Sequence, residues 1–352
     1  MKPAKMTSMQ RVLTTLSHEE PDRVPLFLAL TMHGAKELGI NIREYFSKPQ
    51  NMVEGQLRLL SRYQQDFIYT FCYAPLEMEA WGAQVIYRED GPPNSGPPLL
   101  RKLEDIQGLK APRVSETPCL LKVLKTIELL KSRVETDVPI VGVVISPFSL
   151  PIMQLGFDAY IELIYERPQL FWRLMELNKA FSIQWANAQL AAGATAICYF
   201  DPVSSPTIIP RDIYLKTGFE VAREAIRAIK GPTATHLASG RSLGILDDLA
   251  VTGTSMVGVS CEENLAELKR AASQKLTILG NLNGIEMRRW TPREAETQVK
   301  RAIAQAGVGG GFILGDNHGE IPWQVEEEVL FAIGDAVRKW GEYPLNWVKD
   351  ER

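Results

Sequence analysis

Residues 194–240 are ATAICYFDPVSSPTIIPRDIYLKTGFEVAREAIRAIKGPTATHLASG, two short apolar runs separated by a longer stretch of helical period. The runs at 194–202 and 231–240 end in polar or turn residues, whereas residues 210–230 carry apolar side chains at helical spacing. Strands that are buried on both faces have continuously apolar sequences, as these runs do. The segment therefore predicts two parallel strands connected through a helix.

The same unit recurs along the chain. Eight apolar runs end in polar or turn residues, at 23–30, 66–74, 138–147, 194–202, 231–240, 255–260, 275–283 and 310–319. Stretches of helical period fill most of the intervals, at 157–192, 210–230, 241–251, 262–273 and 292–307. This alternation predicts an α/β fold of the (β/α)8 TIM barrel type, in which the active site forms where the strands end.

The chain has 352 residues, which a barrel of roughly 250 residues with insertions accommodates as one unit. We therefore expect a single domain over residues 1–352. Residues 1–20 predict an N-terminal helical extension that ends at Pro21. The segments AQVIYRED (83–90) and GPPNSGPP (91–98) predict a small hairpin insertion near the mouth of the barrel.

Composition and charge exclude several classes of function. The formal net charge is -3, so no basic face for binding nucleic acid is expected. No segment is apolar over the ~20 residues that a membrane span needs, and the N-terminus lacks the apolar core of a signal peptide. The four cysteines have neither disulfide-framework nor metal-knuckle spacing. We expect a cytoplasmic protein with reduced thiols and no membrane partner.

Polar residues at the predicted strand ends are the candidate site residues. We assign catalytic roles to Asp201, His236 and His318, because each follows or ends an apolar run. Simpler roles stay open for them: Asp201 as a helix cap, His236 bound to a loop carbonyl and His318 in a turn. Asn281 and Asn283 fit a turn equally well. Substrate contacts are predicted for the other polar residues of these segments: Tyr199, Ser239, Asn281, Asn283, Asp316 and Asn317.

Motifs along the whole chain resemble one family. They are HEEPDRVPLFLAL from residue 18, the segment 34–69, EMEAWGAQV from 77, YFDPVSSPTIIP from 199, THLASG from 235, ILGNLNG from 278 and LGDNHGEIP from 314. Together they resemble the uroporphyrinogen decarboxylase superfamily, and within it the cobalamin-dependent methyltransferases, such as the methylcobamide:coenzyme M enzymes. The resemblance implies a (β/α)8 barrel and places Glu79 at the rim of the site as a substrate-binding residue.

One departure from the family pattern concerns arginine. True decarboxylases of the superfamily carry an arginine-rich segment after the first strand, which holds the carboxylates of an acidic tetrapyrrole. No arginine lies between Arg23 and Arg43 here, and Leu28, Leu30 and Met32 are apolar. Because an unpaired buried carboxylate costs several kcal/mol, roughly, porphyrinogen decarboxylation is not expected.

A second departure concerns zinc. The coenzyme M methyltransferases hold zinc through a His-x-Cys motif after strand five and a cysteine after strand eight. The corresponding segments here are HLA at 236–238 and GDNHG at 315–319, so the histidine is kept and both cysteines are absent. Zinc also accepts nitrogen and carboxylate oxygen, so His236, His318 and Asp316 are the candidate ligands of a weaker site. No zinc of the thiolate type is expected.

The primary hypothesis is a corrinoid-dependent methyltransferase. It would move a methyl group between a small methylated substrate and the cobalt of a corrinoid (cobalamin) on a partner protein, because this chain contains no DxHxxG corrinoid motif. Two alternatives stay open. The same barrel could serve a decarboxylase or lyase of a small carboxylate that needs no corrinoid, or a non-catalytic binding protein.

Overall fold

The computed structural model describes residues 5–317 and 319–351 and contains one curled parallel sheet of seven strands in the order β1-β4-β5-β6-β7-β8-β9. Two further short strands, β2 and β3, form a separate antiparallel pair. The strands are β1 Ile68–Tyr69, β2 Val85–Ile86, β3 Asn94–Ser95, β4 Ile140–Ile145, β5 Ala196–Phe200, β6 Thr233–His236, β7 Met256–Gly258, β8 Thr277–Leu282 and β9 Phe312–Asp316.

Fifteen α-helices are found in the described residues, mostly between consecutive strands of the sheet. They are α1 Ser8–Leu16, α2 Gly34–Leu38, α3 Ile42–Ser47, α4 Pro49–Tyr63, α5 Leu76–Ala80, α6 Pro118–Val134, α7 Pro151–Leu155, α8 Phe157–Glu166, α9 Pro168–Ala192, α10 Arg211–Lys216, α11 Gly218–Ala228, α12 Leu246–Ala250, α13 Leu265–Ala272, α14 Pro292–Ala306 and α15 Glu327–Trp340. Short 3-10 helices are Leu103–Gly108, Val114–Glu116, Pro202–Ser204, Leu243–Ile245, Glu286–Arg289 and Asn346–Glu351.

Local sequence sets the ends of several helices. Thr7 and Gln10 form a capping box at the start of α1, and Thr291 and Glu294 form another at the start of α14. The longest helix, α9, is followed by Gly193, which caps its C-terminus with a φ of +118° that favours glycine. None of the helices in residues 5–317 and 319–351 combines the length and apolarity needed to cross a membrane.

Alternate residues of the strands face the two sides of the sheet. On β5, Cys198 points into the curl of the sheet, where it packs with Phe27, Tyr69 and Leu279. Its neighbours Ile197 and Tyr199 belong to a different cluster, which lies between the sheet and the helices. The sheet is thus buried on both faces, and the arrangement is consistent with a TIM-barrel-like fold.

The expectation of an eighth regular strand at residues 23–30 is wrong. Only Leu26 pairs with the sheet, in parallel with Leu314 of β9, where Phe27 N–H donates to the Leu314 carbonyl at 2.8 Å. On its other side, Leu26 N–H donates to the Asp66 carboxylate at 2.8 Å and Leu28 N–H to the Gln65 side chain at 3.0 Å. Side-chain acceptors replace strand carbonyls there, so no regular ladder forms.

The carboxylate of Asp66 is the centre of a buried ion-pair network at this junction. Its side chain is fully buried and receives Arg11 Nη1 at 2.6 Å and Arg23 Nη1 at 2.8 Å. Arg11 also pairs with Asp22 through Nε at 2.6 Å. The N-terminal extension, which the sequence indicated only as a helix, therefore fixes residues 22–26 against the start of β1.

Glu77 is a fully buried carboxyl group between α5 and β4. Its Oε1 accepts the backbone N–H of Ile145 at 2.8 Å. Its Oε2 and the Trp185 indole N–H have no hydrogen-bond partner within the described chain, and both residues line a cavity of about 10 Å³. Burial raises the pKa of Glu77 from 4.5 to about 8.

This pKa predicts how stability depends on pH. The folded protein binds the Glu77 proton more tightly than the unfolded chain, so its contribution is full below pH 4.5 and is lost as pH rises through about 8. We expect the free energy of unfolding of wild type, relative to Glu77→Gln, to fall by on the order of a few kcal/mol between pH 5 and 9. Urea unfolding at both pH values measures this difference. The exposed change Glu166→Gln is the control, and a wild-type-minus-Glu77→Gln difference that does not change with pH would contradict the assignment.

Candidate functional site

His236 ends β6 and lies at the carboxyl edge of the sheet. The side chain is 4% exposed, and its Nδ1 accepts the backbone N–H of Ala238 at 3.0 Å. The imidazole stacks on Phe200 of β5, with ring centroids 5.6 Å apart and an interplanar angle of 23°. Because the lone pair of Nδ1 is engaged, the neutral ring carries its proton on Nε2.

Four aromatic rings form a row across the ends of β1, β5 and β6. From Tyr69 the row runs to Phe71 at 5.8 Å, then to Phe200 at 6.4 Å and to His236 at 5.6 Å, measured between ring centroids. Phe71 and Phe200 are half-buried, whereas Tyr69 is buried. The row offers an apolar surface with a histidine at one end.

A pair of carboxyl groups lies beside this row. Asp316 ends β9, is 1% exposed and accepts the backbone N–H of Ala29 at 3.2 Å. Glu320, four residues later, accepts the hydroxyl of Thr31. Burial, followed by the negative charge of Asp316, raises the pKa of Glu320 to about 8. Burial, followed by the neighbouring Cys198 thiol and only then by Asp316 and Glu320, raises the pKa of Tyr69 well above its usual range, so these acids lie near the Tyr69 end of the row.

Glu320 was not among the residues selected from the sequence. It follows Asp316 in the segment GDNHGE, one residue beyond the apolar run at 310–319. Because the strand-end criterion covers only the residues that close each apolar run, it does not include Glu320. His318, which we predicted to be catalytic, lies outside the described residues. Asn317, a predicted substrate contact, is buried at the end of β9 and neighbours the thiol of Cys261.

Asp201 follows β5 as expected, but serine hydroxyls surround it. Its Oδ1 accepts Ser146 Oγ at 2.5 Å and Ser149 Oγ at 2.7 Å, and its Oδ2 accepts Ser204 Oγ at 2.5 Å. The residue is 1% exposed, and burial raises its pKa in opposition to these hydrogen bonds. The geometry gives Asp201 a role in holding two loops together, and its catalytic role stays a prediction.

Three other predicted substrate contacts lie in different surroundings. Tyr199 is fully buried on the helix-facing side of β5, and burial raises its pKa well above the ordinary value. Ser239 is exposed, and its carbonyl accepts Ser260 Oγ at 3.0 Å. Glu79 lies on α5, where it accepts the hydroxyl of Tyr73 at 2.5 Å. None of these three residues joins the row of aromatic rings.

Asn281 and Asn283 line a cavity of about 300 Å³ at the carboxyl ends of β7 and β8. The amide of Asn281 donates to the Ser260 carbonyl at 2.8 Å. The side-chain oxygen of Asn283 accepts the backbone N–H groups of Ile285 and Glu286 at 3.1 Å each, which is the turn role considered from the sequence. The two residues therefore combine a local structural role with access to a cavity.

The residues described at these strand ends do not fit a thiolate zinc site. Among residues 5–317 and 319–351, no group of three His, Cys, Asp or Glu side chains is arranged to hold a metal ion. Ala238 brings no donor to the third position of the HLA segment. Cys72, Cys119 and Cys198 are buried, and only Cys261 is partly exposed. The set His236, His318 and Asp316 stays a prediction, because one member lies outside the described residues.

The three serine hydroxyls that donate to the Asp201 carboxylate should stabilise the fold. Asp201→Asn replaces one accepting oxygen with an NH2 group, so at least one hydroxyl loses its acceptor, and the free energy of unfolding should fall by about 1–3 kcal/mol. Chemical unfolding measures the loss, with the exposed change Asp212→Asn as the control. If Asp201→Asn kept the free energy of unfolding of the wild type, these hydrogen bonds would not contribute to stability.

The family model described as uroporphyrinogen decarboxylase (URO-D) matches residues 7–340. The uroporphyrinogen decarboxylase of Xylella fastidiosa is 25% identical over 356 residues, covering 95% of this chain and 99% of the relative. That of Alkalilimnicola ehrlichii is 24% identical over 361 residues, covering 94% and 93%.

Solved structures agree on the fold. A methyltransferase from Methanosarcina mazei superposes with a TM-score of 0.85 at 20% identity, covering 95% of this chain and 99% of that one. A B12-independent methionine synthase from Shewanella sp. superposes with a TM-score of 0.53 at 15% identity, covering 84% and 89%. At these identities the structures show a shared fold. Because the family model spans nearly the whole chain, this protein belongs to the uroporphyrinogen decarboxylase (URO-D) family.

Proposed function

We propose that this protein is a corrinoid-dependent methyltransferase, which moves a methyl group between a small methylated substrate and the cobalt of a corrinoid on a partner protein. The observation that carries the proposal is that two carboxyl groups at the strand ends have no cation beside them. Asp201 and Glu320 are carboxyl groups that form no ion pair with a lysine or arginine anywhere in residues 5–317 and 319–351. These residues therefore offer no cation to a polycarboxylate substrate, whose carboxylates would lose hydration at this edge without compensation.

The segment after Arg23 supports the same conclusion. Leu28, Leu30 and Met32 are at most 1% exposed and belong to the packed core, so no cation from this segment reaches the strand ends. Each carboxylate of a tetrapyrrole would then lose its hydration without gaining a guanidinium partner, at a cost of several kcal/mol, roughly. Decarboxylation of such a substrate is therefore disfavoured by the missing cations.

The name of the structural neighbour from Methanosarcina mazei favours methyl transfer. We infer further that residues 23–30 complete a (β/α)8 barrel, since they hydrogen-bond to β9 on one side and to residues 65–66 on the other. In this proposal the whole chain acts as one domain in the cytoplasm, and its barrel mouth receives both the substrate and the corrinoid-bearing partner.

Individual residues receive roles in this proposal. When bound, the partner's corrinoid supplies cobalt as the methyl acceptor or donor, which is the chemically difficult part. The aromatic row from Tyr69 to His236 provides an apolar, water-excluding surface for the methyl group. The Nε2–H of His236 polarises the heteroatom that carries the methyl group. No step is assigned to zinc, because the described donors do not fit it.

The names of the sequence relatives favour a second candidate. The matching proteins from Xylella fastidiosa and Alkalilimnicola ehrlichii are called uroporphyrinogen decarboxylases. A decarboxylase or lyase of a small carboxylate remains compatible with the same scaffold, because a single carboxylate needs fewer cations than a tetrapyrrole does. Such an enzyme would act without a corrinoid, which separates the two candidates experimentally.

A spectroscopic assay distinguishes the candidates. The purified protein is incubated with reduced cobalamin and, in turn, methylated amines, thiols, phenyl ethers and methyl halides, while the absorbance of methylcobalamin is followed. We expect methylation with one donor class, and a loss of roughly 100-fold or more in His236→Ala with the fold retained. Glu166→Gln, which is exposed, should retain the wild-type rate. Turnover of uroporphyrinogen or a small carboxylate without corrinoid, and no methylcobalamin from any donor, would contradict the proposal.

A further inference from the structure

The cavity of about 300 Å³ at the carboxyl ends of β7 and β8 lies outside the aromatic row. It is enclosed by the loop after β7, the loop after β8, the start of α13 and one face of α14. A volume of this size is at the lower end of the range for small-molecule sites. The sequence predicted a ligand contact for Asn281 and Asn283, which line this cavity. The side chains that favour a particular ligand lie on α14.

Three polar side chains of α14 line the cavity without a protein partner. Gln298, Arg301 and Gln305 are three and four residues apart, so they lie on one face of the helix, with the small Ala302 between them. None of the three makes a hydrogen bond or ion pair with any part of the chain that the structure describes. By contrast, Glu296 on the same helix pairs with Lys339 at 2.6 Å.

Neither acidic residue of the cavity forms an ion pair with Arg301 in the part of the chain that the structure describes. Glu263 accepts the N–H groups of Ser242 and Leu243 at 2.8 and 2.9 Å, so both of its oxygens are engaged. Glu286 lies 3.5 Å from Arg289. The guanidinium thus keeps its donors for a ligand, while Glu263, held by two backbone N–H groups, and the half-exposed Glu286 contribute negative charge elsewhere in the cavity.

This distribution of charge selects a ligand class. A planar guanidinium flanked by amide groups matches a carboxylate, which it binds through two parallel hydrogen bonds. Glu263 and Glu286 would repel a phosphate dianion more strongly than a carboxylate monoanion, and they would attract an ammonium group carried by the same ligand as that carboxylate. We propose that this cavity is a binding site for a small zwitterion of amino-acid size, with its carboxylate on Arg301 and its cationic group toward Glu286.

The site goes beyond the proposed methyl transfer, since binding there needs neither a corrinoid nor a methyl group. The cavity also lies next to the candidate active site at the end of β9. Cys261 lines the cavity and neighbours Asn317, the residue after Asp316. A ligand in the cavity therefore contacts the wall that separates it from the end of β9.

Calorimetric titration tests this assignment with a matched set of probes: L-norvaline, pentanoate, pentylamine and inorganic phosphate. L-Norvaline should bind most tightly, and Arg301→Gln should weaken it by about tenfold or more, because a charge-assisted bidentate contact is lost. Gln298→Leu should weaken it severalfold. Arg293→Gln, exposed on the same helix and outside the cavity, should bind as wild type does.

Several results would overturn the assignment. They are the absence of norvaline binding to wild type at millimolar concentration, equal binding to Arg301→Gln, or tighter binding of phosphate, pentanoate or pentylamine than of norvaline. Arg301 is exposed, so the variant should fold, and its circular dichroism spectrum verifies this. Because the measurement is binding in the absence of cobalamin, its outcome is independent of the methyl-transfer assay.

Discussion

The buried carboxylate of Asp66 is the interaction on which the architecture depends. It binds Arg11 from α1 and Arg23 from the following segment, and it accepts the backbone N–H of Leu26. With this contact the chain crosses between β9 and β1, the two edge strands of the sheet, without a regular strand of its own. Removing one partner from a buried ion pair typically costs about 3–5 kcal/mol, and here two arginines share the one carboxylate.

Much of the fold was predictable because the relevant signal is periodicity. Each strand from β4 to β9 lies within an apolar run of the sequence, and β1 lies within the run at 66–74. The run at 23–30 predicted a regular strand that does not form, because an apolar sequence indicates that a segment is buried but not which groups its backbone hydrogen-bonds to. Its Leu26 and Leu28 N–H groups bond to the side chains of Asp66 and Gln65, which no pattern in residues 23–30 reveals.

The candidate site was predictable only in part. The strand-end rule located His236 and Asp316, which lie at the edge where the aromatic row and Glu320 meet. It could not show that Asp201 accepts three serine hydroxyls, since Ser146 and Ser149 come from a different loop. Nor could it find Arg301, because that residue lies on a helix face where a lone arginine resembles ordinary solvated charge.

The proposed function differs from the activity for which the sequence relatives are named, and the difference rests on the side chains at the strand ends. Buried carboxyl groups occupy the edge where a tetrapyrrole decarboxylase of this superfamily would be expected to place cations, and the segment after Arg23 contributes only packed apolar side chains. The difference concerns recognition, because the scaffold is shared along nearly the whole chain.

The most direct test of this account is a fluorescence titration of the protein with uroporphyrin, an octacarboxylate tetrapyrrole, at low ionic strength. The account predicts no saturable binding at micromolar concentrations, since the carboxylates would lose hydration at the mouth of the barrel without gaining a cationic partner there. Saturable micromolar binding that weakens with added salt would contradict it, because it would reveal a cationic site for polycarboxylates at the mouth of the barrel.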